Sequence, residues 1–136
     1  MEQKDYILRE IEKIGLLLTA IRQKLFGGKE NLSISLEKQI ESAKGMLLKE
    51  INFDFDHFLS LNPQDSINYI NNITGFSIEN IELLAGWLSR TGFSYKSENS
   101  TLYLEKALQL YEYCSLKSKT YSLDREVNME KIKNVL

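Results

Sequence analysis

Residues 5–26, DYILREIEKIGLLLTAIRQKLF, decide the fold. Apolar side chains recur there at Ile7, Ile11, Ile14, Leu18, Ile21 and Leu25, at alternating spacings of four and three, so they share one stripe of an α-helix. Leu16, Leu17 and Ala20 point away from that stripe, so the middle turn is apolar on nearly every side. Such a helix touches more than one neighbour. The pattern predicts a buried hub helix around which the rest of the chain packs.

The remaining chain supplies the helices to cover it. A C-terminal stop at Gly27-Gly28 and a short link through Lys29, Glu30 and Asn31 predict a helical hairpin. Its second helix starts at Ser33 or Ser35 as N-cap and runs to residue 51, with Leu36, Ile40, Ala43, Leu47 and Ile51 on one face. Gly15 and Gly45 fall at one level of this hairpin, yet Gly45 points away from the apolar face, so each is taken as a local oddity. In residues 52–61, NFDFDHFLSL, Phe53 and Phe55 alternate with Asp54 and Asp56, which reads as a short extended connector with core-plugging rings. One or two helical turns capped by Asp54 or Asp56 follow.

Pro63 suits the first turn of a second short helix over residues 64–73, stopped by Gly75. Ser77 caps a helix over residues 78–90, and the polar stretch 91–100, TGFSYKSENS, reads as a mobile surface loop. Residues 101–117 form the next helix, and Ser122 to Asp124 cap the last. The fold class is all-α: antiparallel helical hairpins packed as a bundle or short solenoid, in one domain. Within it lie an N-terminal hairpin (5–51), short helices (54–73) and C-terminal helices (78–135).

Composition agrees. Of 136 residues, 43% are hydrophobic and 26% charged, the balance of a globular domain and not of a disordered tail. One proline and seven glycines leave few helix breakers. Net charge is −2, with no basic run, so nucleic acid is not expected as a partner. Residues 51–95 hold Asp54, Asp56, Asp65, Glu79 and Glu82 against Arg90 alone, and would favour a basic partner if they formed one surface. Charges interrupt the first helix throughout, so neither a signal peptide nor a span of about 20 apolar residues is read there. The lone Cys114 falls on an apolar stripe as a buried thiol. The expected location is the cytoplasm, without membrane association.

Ile81, Leu84, Ala85 and Leu88 in one helix, with Ala107, Tyr111 and Cys114 in the next, stand at the packing positions of a two-helix repeat. By these residues the chain from 78 to 114 resembles a divergent tetratricopeptide repeat, whose hairpins normally stack into a solenoid. Ile81 replaces the usual tryptophan, Ala85 the usual glycine, no proline closes the unit, and about ten extra residues separate its helices. The whole chain is also similar to small helical bacterial proteins of unknown function that begin with an Asp-Tyr-Ile helix. The repeat resemblance implies that Glu79, Glu82 and Ser89 face a concave groove that holds peptides.

No glycine-rich phosphate loop, nucleophile elbow or paired catalytic carboxylates stand out. His57 with Asp54 and Asp56 has the raw material of a metal or acid/base site, but caps explain the same letters, and neither metal, cofactor nor catalytic residue is assigned. Tyr95 and Tyr113 lie off the helical stripe and are assigned to partner contact. The expected function is non-enzymatic: an adaptor, scaffold or self-associating subunit with a protein partner. The alternative is a small-ligand or regulatory module with a pocket between hairpins lined by Trp87, Tyr95 and Tyr103.

Overall fold

Four of the helix starts follow from a local chemical signal. The computed structural model of the chain describes residues 2–26, 36–95 and 97–136. Among them run α1 (Glu2–Phe26), α2 (Leu36–Ile51), α3 (Phe55–Ser60), α4 (Pro63–Asn71), α5 (Ile78–Ser94), α6 (Ser100–Lys117) and α7 (Leu123–Lys133), with no strand. The fold is all-α. The Gly27-Gly28 stop, the link through Asn31 and the Ser33 or Ser35 cap lie outside the described residues.

Asp54 accepts from His57 N–H at 3.1 Å and caps α3. Asn62 accepts from Asp65 N–H at 2.8 Å and caps α4, whose first turn takes Pro63. Ser77 and Ser122 do the same for α5 and α7. Each cap satisfies a backbone donor that the helix leaves orphaned and stabilises by about 1 kcal/mol.

The hub is the pair of helices α5 and α6 rather than α1. The two pack in an antiparallel register that sets Gly92 against Leu104, Gly86 against Tyr111 and Ile78 against Cys114. Ile81, Leu84, Ala85, Trp87 and Leu88 are all buried, whereas on α1 burial begins only at Ile14 and continues through Leu18, Ile21 and Leu25. Tyr6, Ile7, Leu8 and Leu16 are exposed. An apolar stripe shows which side a helix buries but not how far its partner extends. Here α5 starts level with Ile11, whose carbonyl accepts from Asn80 Nδ2 at 2.9 Å, and the turns of α1 before it reach past the body.

The stretch read as a mobile loop also differs. Residues 91–94 continue α5, with Thr91 and Gly92 buried. A Cβ at Gly92 would sit 2.8 Å from Leu104 Cγ, so this glycine is a close-packing residue and not a breaker. Ser100 Oγ then ties the turn by donating to Tyr95 O at 3.0 Å. Gly15 likewise serves no crossing with Gly45: it faces Asn80 Oδ1, while Gly45 faces open space.

Phe53, Phe55 and Phe58 all plug the core. Phe53 lies 5.3 Å from Phe58, 5.5 Å from Tyr69 and 5.9 Å from Phe76, ring centre to ring centre, so one connector residue joins α3, α4 and the entry to α5. Lys106 is buried without a carboxylate: its ammonium donates to Leu61 O and Ser66 Oγ and sits 5.4 Å over the Phe58 ring.

Two glycines should respond to alanine in opposite directions. Gly75 has φ +99°, and its Cβ would stand 2.7 Å from Glu10 backbone atoms, so Gly75→Ala is expected to destabilise by about 2 kcal/mol or more. Gly45→Ala, in open space on α2, is expected to stabilise by about 0.5–1 kcal/mol. Urea unfolding of the two variants reads both.

Candidate functional site

The site begins with the exposed row of α5. Glu79, Glu82, Leu83, Gly86, Arg90 and Phe93 follow one another at helical spacing and line a groove of about 740 Å³. From α6 comes Tyr111, from the α6–α7 link Ser118, Thr120 and Ser122, from α7 Arg125, Asn128 and Lys131, and from α1 Arg22. Trp87 and Ser89 border it as well.

Arg125 holds one wall in place. Buried in the first turn of α7, it donates through Nη1 to Glu82 Oε1 at 2.7 Å, through Nε to Ser115 Oγ at 3.0 Å and through Nη2 to Thr120 O at 3.0 Å. One guanidinium thus joins α5, α6, α7 and the link. The fork geometry of arginine suits this, and a lysine in its place would satisfy one acceptor at a time. Tyr111 lies beneath, its hydroxyl accepting from Asn128 Nδ2 at 3.3 Å. Burial, with the nearby Glu82 charge, pushes its phenol up to about 12, so it keeps its own proton to donate. Trp87 Nε1 is buried with no hydrogen-bond partner among the described residues.

Four of the residues singled out by sequence, Glu79, Glu82, Trp87 and Ser89, therefore meet along one groove. The two tyrosines do not join them. Tyr95 closes α5, its N–H donating to Thr91 O, and Tyr113 accepts from Asn71 Nδ2 at 3.0 Å, which ties α6 to α4. The expected pocket of Trp87, Tyr95 and Tyr103 is not open either. Phe55 fills the space between two of its members, 4.9 Å from Trp87 and 6.0 Å from Tyr103, ring centre to ring centre.

Sequence reasoning missed Arg22, Gly86, Tyr111, Arg125, Asn128 and Lys131. Arg125 carried a signal: a cation in a helix's first turn opposes the dipole and implies a carboxylate nearby. Gly86 carried another, since glycine inside a helix is unfavourable by about 0.5–1 kcal/mol relative to alanine. Among the acidic residues, Asp54 caps α3 and Asp56 pairs with Lys44 at 3.0 Å. His57 stacks edge-on against Tyr69, ring centres 5.5 Å apart. Among the described residues no cluster of His, Cys, Asp and Glu could hold a metal ion, and no helix is long and apolar enough to cross a membrane.

No family model, curated protein or solved structure matches this chain.

Under the groove, burial first and the Glu82 charge second raise the Cys114 thiol from 9.0 to about 12, alongside the Tyr111 phenol raised from 10.0. Folding therefore favours both protonated forms. Their stability contribution is complete below pH 9 and is lost as pH climbs toward about 12. Burial lowers the Lys106 ammonium, which contributes the opposite slope, so the test is by difference. A Cys114→Ala protein should show a flatter fall in Tm above pH 9 than wild type, and Tyr111→Phe a flatter fall above pH 10.

Proposed function

We propose that this chain is a protein-interaction module, an adaptor or subunit without chemistry of its own, that receives a segment of a partner protein in the groove along α5. The observation that carries this is the groove's length. Its lining runs along α5 from Ile78 to Phe93. At about 1.5 Å rise per helical residue that is about 20 Å, the reach of about six extended residues. A trough of this length suits a chain better than a compact molecule.

Two further features support the reading. The α5–α6 hairpin, read as a divergent tetratricopeptide-like unit, presents Glu79, Glu82 and Ser89 on the face that the groove uses. Gly86 leaves the α5 backbone bare at mid-groove, where a Cβ would meet only Tyr111 Oη at 3.6 Å. Packing does not demand a glycine there, and an incoming chain would profit from one. Cys114, a buried free thiol, fits the reducing cytoplasm as the proposed compartment. A small-ligand module is the second reading, favoured by a groove volume inside the usual range of about 300–1,000 Å³ for ligand pockets.

Selection of a displayed random-peptide library on the wild-type protein should enrich binding sequences. The Gly86→Leu protein should bind those peptides at least about tenfold more weakly. Its Tm should hold or rise, since leucine has the better helix propensity. Peptides indifferent to Gly86→Leu, or no enrichment at all, would remove the reading. Stabilisation by a compact small molecule in a protein blind to peptides would install the second.

A further inference from the structure

We infer that the groove along α5 selects an acidic peptide segment, one in which carboxylate side chains alternate with apolar ones. This rests on the interaction reading above and adds the chemistry of the partner. The molecule as a whole is acidic, with net charge −2. The groove is the reverse: Arg22, Arg90, Arg125 and Lys131 line it with two carboxylates, Glu79 and Glu82, and of the four cations Arg90 and Arg125 also make contacts within the protein. Glu82 is already engaged by Arg125 at 2.7 Å, so the carboxylate most able to repel an incoming anion is neutralised within the protein.

The cations come from α1, α5 and α7, segments far apart in sequence, and the fold gathers them along one trough. In a concave site the field of such a set is focused and its counter-charge attracted at longer range than on a flat face. Hydrogen bonding points the same way. Tyr111 lines the groove, and its phenol can donate to the acceptors that a carboxylate offers. Leu83, Gly86 and Phe93 meanwhile supply the uncharged surface against which a backbone can lie.

Trp87 is the chain's sole tryptophan and reports on the groove directly. Its emission can be followed in titrations with three synthetic hexapeptides that alternate leucine with glutamate, glutamine or lysine. The glutamate peptide should bind about tenfold or more tighter than the glutamine one, a difference of about 1.4 kcal/mol. Added salt should weaken it. The lysine peptide should not bind. In an Arg22→Gln/Lys131→Gln protein the glutamate peptide should lose that advantage while the glutamine peptide is unchanged, which separates charge recognition from a damaged fold.

Equal binding of the glutamate and glutamine peptides, both lost in Gly86→Leu, would overturn the acidic inference and leave the interaction reading standing. No peptide sensitive to Gly86→Leu would overturn both. If free citrate perturbs Trp87 as strongly as the glutamate peptide at equal concentration, the occupant is a small anion and the peptide inference fails.

Discussion

The arrangement of this molecule depends on one side-chain amide. Asn80, nearly inaccessible at the start of α5, donates both protons of Nδ2: one to Ile11 O at 2.9 Å and one to Gly75 O at 2.8 Å. The first bond fixes where along its length α1 meets α5, and the second fixes the turn that leads into α5. A side chain at position 75 would press on this contact, because Glu10 backbone atoms occupy that space. Buried amides left without partners are destabilising by about 1–3 kcal/mol each, so the contact has one satisfied geometry and no sliding alternative. From it follows the level at which Arg22, about three turns beyond Ile11, reaches the groove.

Most of the helical framework was legible because it is written in local chemistry. Caps at Asp54, Ser77 and Ser122, the proline at the start of α4 and the apolar stripes on α2, α5 and α6 act within a few residues of themselves. The misjudged parts involve pairs distant in sequence. The stretch 91–100 read as a loop from its polarity, because the reason for glycine at position 92 is Leu104, on the next helix. The first helix looked like the hub because its stripe is long, yet burial depends on what lies opposite, and its stripe is buried only from Ile14 onward. Lys106 is buried where an amphipathic pattern puts a charge outside, held by a carbonyl and a hydroxyl from the α3–α4 corner that no periodicity reveals.

The candidate site divides the same way. Glu79, Glu82 and Ser89 were named because the resemblance to a two-helix repeat implies that they face its groove, and Trp87 as one ring of an expected pocket; all four sit on α5 and line the groove. The cations that give the groove its sign arrive from other elements, so a count along the chain could only report a locally acidic middle. Four of its acidic residues are engaged separately: Asp54 serves α3 as a cap, Asp56 pairs with Lys44, Asp65 accepts from Asn62 Nδ2 at 3.0 Å and Glu82 pairs with Arg125. Of the acidic residues there, only Glu79 and Glu82 reach the groove, where Arg22, Arg125 and Lys131 come from other elements.

Three local departures from what a stable helix prefers meet at this groove. Gly86 gives up helix propensity in mid-α5, Arg125 puts a cation at the positive end of α7, and Trp87 buries a donor without an acceptor. Each is unfavourable alone by about 0.3–3 kcal/mol. Arg125 is offset within the fold by its three acceptors, but Gly86 and Trp87 have no such compensation among the described residues. Local choices that a fold does not require are where a sequence reflects something other than folding. Gly86 is such a choice, since no packing contact requires it and it lies in a trough lined by cations, whereas the place of the Trp87 ring is set by the core, 4.9 Å from Phe55.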